Sequence, residues 1–174
     1  MRVRRPWFLL LALLLFPSVA RADDHRAEFY AAAFSFIPGS LLLGPHVTYA
    51  KTLEDILQGN LSVVGDFSTH FGPDEEEGKR ITYAGGVRYS FAKPNYPKFV
   101  NTARVLFGAV YGKDSTDEGT DPAFLVGYEL EYFPNRSKTQ EGWGVRGQVD
   151  LVLPTGDRDE FWRISTGAVY RWRK

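Results

Sequence analysis

The chain contains no cysteine. That absence excludes a disulfide framework and a lipid-modified N-terminal cysteine, so a lipoprotein anchor is ruled out. Long apolar runs are also missing. The longest, Trp7 to Phe16, falls short of the roughly 20 residues that a membrane-spanning helix needs. There is no excess of positive charge either, with 21 basic residues against 21 acidic ones, which argues against a nucleic-acid-binding surface. Beyond Asp23 no segment keeps a helical apolar period over a useful length.

What is present begins with an export signal. Arg2, Arg4 and Arg5 form a positive start, the leucine-rich run Trp7 to Phe16 follows, and Pro17 breaks it. Ala20-Arg21-Ala22 supplies the small-x-small pattern of a cleavage site before Asp23. Residues 1–22 are therefore expected to be a cleaved signal peptide and residues 23–174 a single domain; the alternative is a short uncleaved anchor helix. Cleavage removes four arginines and leaves the mature chain net acidic by four.

The rest alternates between apolar and polar residues, with turn residues between the runs, which is the signal of an all-β chain. About eight strands are expected. They run Glu28 to Ile37, Pro45 to Leu53, Asn60 to Phe71, Arg80 to Ala92, Phe99 to Gly112, Pro122 to Phe133, Trp143 to Leu153 and Phe161 to Trp172. Most have the length a tilted membrane strand requires, roughly 9–11 residues. Leu41 to Leu43 reads as an apolar loop tip, and Thr52 to Gln58 as a short helical turn.

Strand side chains alternate between faces, and here the two faces differ in chemistry. In the last strand Trp162, Ile164, Thr166, Ala168, Tyr170 and Trp172 oppose Arg163, Ser165, Gly167, Val169 and Arg171. In the seventh, Trp143, Val145, Val149, Leu151 and Leu153 oppose Arg146, Gln148 and Asp150. In the sixth, Phe124, Val126, Tyr128 and Leu130 oppose Glu129 and Glu131. Arg80 and Arg88 of the fourth strand, Arg104 of the fifth, and Asp66, Ser68 and His70 of the third lie on the polar faces. A half-exposed soluble sheet also shows one polar face per strand. Glycines inside the strands, such as Gly65, Gly85, Gly108, Gly127 and Gly147, favour a small closed barrel with bends and close approaches. A transmembrane barrel turns the apolar faces to lipid and the polar ones to the lumen. The fold expected is thus an antiparallel up-and-down transmembrane β-barrel of about eight strands.

An even strand number puts both termini on one side, and export places that side in the periplasm. The acidic connections Gly72 to Lys79 and Lys113 to Asp121 then face outward. Two aromatic girdles are expected at the membrane interfaces. Phe91, Phe99, Tyr132, Phe133, Trp143, Tyr170 and Trp172 form the periplasmic one, and Phe71, Tyr111, Phe124 and Trp162 the outer one.

The C-terminal run Ser165-Thr166-Gly167-Ala168-Val169-Tyr170-Arg171-Trp172 resembles the assembly signal of bacterial outer-membrane barrels, with Ser165, Gly167, Tyr170 and Trp172 at the constrained positions. Arg173 and Lys174 follow the final aromatic, which usually ends such chains. With the export signal, the chain resembles a small barrel of the OmpA/OmpX-like superfamily. Stretches such as Val63 to Ser68 and Arg104 to Ala109 are similar to members of that group. The resemblance implies an outer-membrane location and recognition by the barrel-assembly machinery. The surrounding lipid and lipopolysaccharide are the other expected partners, with the chain as a monomer.

Asp66, Ser68 and His70 invite a hydrolase reading. Spacing opposes it, because Asp66 and His70 are about 13 Å apart along one strand, while a base must reach its partner at about 3 Å. His46 or Glu129 from another strand would have to complete such a site. The favoured expectation is a lumenal polar network: Asp66, His70, Arg80, Arg88, Arg104, Glu129, Glu131, Arg146, Asp150, Arg163 and Arg171. An eight-stranded barrel is just wide enough for side chains to fill it. Paired charges then plug the lumen. Glu75 to Glu77, Asp114, Asp117, Glu118 and Asp121 read as a solvated acidic rim, with divalent-cation binding as the weaker alternative. No cofactor, metal or catalytic residue is expected. The competing readings are a lipocalin-like soluble barrel with an apolar ligand inside, a lipid-modifying membrane enzyme and a narrow solute channel.

Overall fold

A computed structural model describes residues 26–38, 42–56, 59–72, 78–91, 98–113, 118–134, 141–156 and 158–173. The expected export signal lies outside them. Eight strands follow one another: β1 (Arg26–Ile37), β2 (Leu42–Ile56), β3 (Gly59–Phe71), β4 (Lys79–Phe91), β5 (Phe99–Lys113), β6 (Glu118–Tyr132), β7 (Gly142–Pro154) and β8 (Phe161–Arg173). Each pairs antiparallel with its sequence neighbours, and β1 pairs antiparallel with β8 to close the barrel. Closure removes the sheet edges that would otherwise invite aggregation.

Side-chain alternation sets the two surfaces. Outward-facing residues are apolar and exposed, with Phe34 and Trp143 each 67% accessible. Inward-facing residues include ten charged side chains, and these are buried. This is the reverse of a water-soluble barrel and suits a lipid surround.

Several strands run further than expected. Leu42 and Leu43 belong to β2 and do not form a loop tip; Leu42 is buried and pairs with Ile37, while Leu43 faces outward beside Phe36. Leu41 lies outside the described residues. The expected helical turn is also strand, because Glu54 to Ile56 pair with Gly59 to Leu61 after a shift in register near Thr52. Inter-strand hydrogen bonds here outweigh a weak local helical preference. Leu57 and Gln58 are not described. β6 begins four residues early, at Glu118, and passes through Pro122. Proline is tolerated there because its carbonyl accepts a 2.8 Å bond from Thr155 N, beyond the last β6–β7 pair, Ala123 with Pro154. The missing N–H therefore falls on a side of the strand where the ladder has ended.

β1 carries an irregularity between Ala31 and Ser35 in its pairing with both neighbours. The inward residues change from Glu28, Tyr30 and Ala32 to Ser35 and Ile37. An extra residue of this kind bends a strand and strengthens its twist. It lies beside Gly167 of β8, where a Cβ would run into the backbone of Ala31 and Ala32. Gly167 thus permits close approach at the seam that closes the barrel.

The aromatic rims are partly as expected. Near the termini Phe99 packs on Tyr132 at 5.0 Å, Trp143 on Tyr170 at 4.9 Å, and Tyr170 on Trp172 at 5.9 Å between ring centres. Phe133 departs from this set. It is buried, with the Arg171 guanidinium 4.8 Å above its ring, so it fills the end of the lumen and does not join the girdle.

Candidate functional site

The barrel interior is divided along its length. The half nearer the termini, extending past the middle, holds charge. Glu28 on β1, Asp66 on β3, Glu129 and Glu131 on β6 and Asp150 on β7 are buried. So are Arg88, Arg104, Arg146, Arg163 and Arg171. Five carboxylates thus face five guanidiniums, and no net charge from these groups is left in the lumen. Strand pairing fixes this arrangement. The cross-strand register sets Glu28 opposite Arg171, Glu131 opposite Arg146 and Asp150 opposite Arg163, so three of the five carboxylates begin beside a cation.

Two clusters result. Near the termini Arg171 Nη2 lies 2.7 Å from both Glu28 and Glu131. Arg146 Nε donates to Glu131 at 2.9 Å, and Arg88 and Arg146 both contact Glu28. Arg146 also covers the Tyr30 ring at 4.6 Å. In the middle Arg104 grips Asp150 with Nε at 2.9 Å and Nη2 at 2.7 Å, a two-point contact. It reaches Asp66 at 2.9 Å through Nη1. Arg163 bridges the same two aspartates, at 2.9 Å to Asp66 and 2.8 Å to Asp150. Arg104 to Glu129 at 3.3 Å joins the clusters. Gly127 makes room for the Arg104–Asp150 pair, since a Cβ there would collide with both side chains.

The far half is apolar. Ile37, Leu42, Leu106, Val110, Leu125, Val152 and Phe161 pack together there, with Ala50, Val64 and Ala123 beside them. The expectation of a polar lumen overlooked this packing. Between the halves lie His46 and His70. His70 Nε2 is 2.8 Å from Ser35 Oγ, and Ser68 accepts a 2.7 Å bond from Arg163. Arg80 lies half-buried over the Phe161 ring at 4.6 Å near the opposite mouth.

Asp66, Ser68 and His70 do not meet. His46 instead supplies the reach that His70 lacks: its Nε2 is 2.7 Å from Asp66, and its Nδ1 is 2.9 Å from Ser165 Oγ. The connectivity is that of a serine–histidine–aspartate triad. All three side chains are sealed, with Ser165 2% and His46 0% accessible, and Asp66 is committed to two arginines. The trio lies within the packed interior.

Glu28, at the centre of the terminal cluster, carries no signal in a strand whose alternation is broken and alanine-rich. The pattern Glu28, Tyr30, Ala32 against Phe29 and Ala31 is its only trace. Of the acidic loop residues, Glu75 to Glu77, Asp114 and Asp117 lie outside the described residues. Glu118 accepts from Tyr111 at 2.9 Å and Lys113 at 3.3 Å, and Asp121 pairs with Arg158 at 3.1 Å. Among the described residues no three potential ligands group to hold a metal ion.

A gap of about 10 Å³ lies among Glu28, Thr52, Ser62, Arg88 and Arg171. One water needs roughly 10–15 Å³. A lipocalin would instead keep an open, largely apolar interior for its ligand.

These features define a closed eight-stranded barrel with an apolar exterior and a charged interior. No family model matches the chain, and no curated protein matches it. Solved structures do. The N-terminal β-barrel domain of Pseudomonas aeruginosa OprF aligns with a TM-score of 0.51 at 13% identity, covering 86% of this chain and 98% of that one. Neisserial surface protein A aligns with a TM-score of 0.54 at 10% identity, covering 87% of this chain and 98% of that one. The chain shares their fold.

Proposed function

We propose that the protein is an integral outer-membrane barrel that acts as a sealed scaffold for surface contacts, and is neither a porin nor an enzyme. Residues 1–22 direct export, and residues 23–174 form the barrel. The termini lie in the periplasm, and the acidic loops meet the outside. The barrel stands as a monomer, surrounded by lipid and lipopolysaccharide, and its last strand is read by the barrel-assembly machinery.

One observation carries this reading: exposed aromatic and aliphatic side chains cover the wall while five arginines and five carboxylates fill the inside. In water that arrangement would expose apolar area and bury charge at a loss. In lipid the first cost is removed, because the outer surface is solvated by hydrocarbon, and the charges inside are offset by pairing with one another. Sealing follows from the network and from the apolar packing beyond it.

Detergent extraction and planar-bilayer recording test the reading together. The expected protein partitions with the outer membrane, migrates differently before and after boiling, and gives no porin-like conductance. Release into the soluble periplasmic fraction would overturn the membrane reading. Steady porin-like currents would overturn the sealed lumen.

A further inference from the structure

Two arginines run in opposite directions across the mouth of the barrel that lies away from the termini. On β5 and β6, Gly112 and Asp121 continue the buried faces of Val110 and Ala123, so both look into the lumen. Cross-strand pairing sets Arg80 of β4 beside Gly112, and Gly112 beside Gly119 of β6. From this row Arg80 reaches the Phe161 ring at the start of β8. Arg158 makes the return crossing. It comes from the connection between β7 and β8 and reaches past β6 to β5, where Nη2 donates to Gly112 O at 3.1 Å. On the way its Nε lies 3.1 Å from the Asp121 carboxylate.

A connecting-loop arginine ordinarily keeps its charged head in water. Here the Arg158 side chain is only 15% accessible and that of Asp121 23%. Thr155 ties down the start of the same connection, with its N and its Oγ1 both donating to Pro122 O, at 2.8 Å and 3.1 Å. Glycines record the fit. A Cβ at Gly112 would collide with the Arg158 guanidinium, and one at Gly119 would press on that group at 3.3 Å and meet nothing else. A Cβ at Gly156 would collide with the Asp121 carboxylate. None of the three has a positive φ, so backbone conformation does not call for glycine there. The space they leave is taken by one ion pair.

The pair sits directly on the apolar half of the interior. Asp121 is the next inward residue beyond Ala123, and Ala123 packs with Val110, Val152 and Phe161. Val152 and Phe161 are themselves the last β7–β8 partners before the connection that carries Arg158. The strand ladders are made by backbone groups and do not run through either side chain. Breaking the ion pair therefore frees the connection while the barrel stays closed.

We propose that Arg158 is a latch: held by Asp121 and Gly112 O, it pins the β7–β8 connection inward over the mouth and, with Arg80, roofs the apolar layer at Phe161. The inference deepens the sealed-lumen reading given above and rests on it. The interior is then closed by three successive devices, the charged clusters, the apolar layer and this latch. Of these the latch alone can open without disturbing the packed interior.

Because the chain has no cysteine, a single introduced one reports access to the layer beneath the latch. Ala123→Cys, in the folded barrel in detergent, should react slowly with iodoacetamide. Adding Arg158→Ser or Asp121→Ala should speed that reaction about tenfold or more, because local opening then governs access. Combining the two should add little beyond either alone, since both break the same contact. Ala50→Cys, in the same apolar cluster but farther from the mouth, should stay unreactive in every background. Boiling-dependent migration verifies that each variant is folded. An Ala123→Cys rate that is the same with and without Arg158 would overturn the latch, as would fully additive effects of the two substitutions. Rapid labelling of Ala50→Cys with the latch intact would instead overturn the sealed interior on which the proposal rests.

Discussion

At the scale of single residues, Arg104 has the most to lose. It holds Asp150 at two points and Asp66 at a third, all three side chains out of contact with water. Removing one partner of a buried pair leaves an uncompensated charge and costs about 3–5 kcal/mol. Arg104→Met should therefore lower the unfolding free energy of the refolded barrel by that much, read as a fall in its urea midpoint. Arg104→Met combined with Asp150→Asn should recover a measurable part, because it removes one of the stranded charges. A single variant that unfolds at the wild-type midpoint would show that the pair contributes nothing. Arg104, Arg146, Asp150 and Arg163 were legible in the sequence because each sits in a regular strand whose opposite face is aromatic or aliphatic. His46 was legible only as a residue type, since its contacts to Asp66 and Ser165 join strands far apart in the chain.

At the scale of elements, alternation revealed β3 to β8 to within a few residues at each end. It failed where the ladder tolerates an exception. Pro122 hid the first turn of β6, and the shift in β1 interrupted the period that would have marked Glu28 as inward. Leu42 reads as loop in isolation, yet it buries its side chain against Ile37 across a short connection. The last strand carries both halves of the chemistry: Arg163 and Arg171 enter the interior network, while Trp162, Tyr170 and the stacked Trp172 face outward. If the outward aromatics serve as the assembly signal, Trp172→Ala should reduce the amount of folded barrel in the outer membrane several-fold. The stability of the refolded protein should change by much less, as its urea midpoint would register. An unchanged yield in cells would remove Trp172 from that role.

At the scale of the whole molecule, the interior charges are neutral as a set and shielded from solvent. Salt screens exposed charges over a Debye length of about 8–10 Å but screens buried pairs far less. The urea midpoint of the barrel should thus be nearly the same in about 0.1 M and about 1 M sodium chloride, measured in zwitterionic detergent. A steep decline with salt would mean that water reaches the pairs and that the lumen is open. The apolar packing of Leu106, Leu125, Val152 and Phe161 adds a second barrier in series, so loss of one charged pair should not by itself open a continuous path. This barrier escaped the sequence reading because Leu106, Leu125 and Val152 lie within nearly continuous apolar stretches, where inward and outward residues look alike.

The seam between β1 and β8 brings one more consequence. Glu28 sits on the first strand, and its partner Arg171 lies 143 positions later on the last, with Nε donating at 3.0 Å and Nη2 at 2.7 Å. Neither can find the other until the two ends of the sheet meet. In an unclosed sheet Glu28 at one margin lacks Arg171, and Arg171 at the other has only Glu131. Zipping the seam joins the two in the same step that completes the ladder. The barrel thereby has a latch between its first and last strands, made only when the ladder closes.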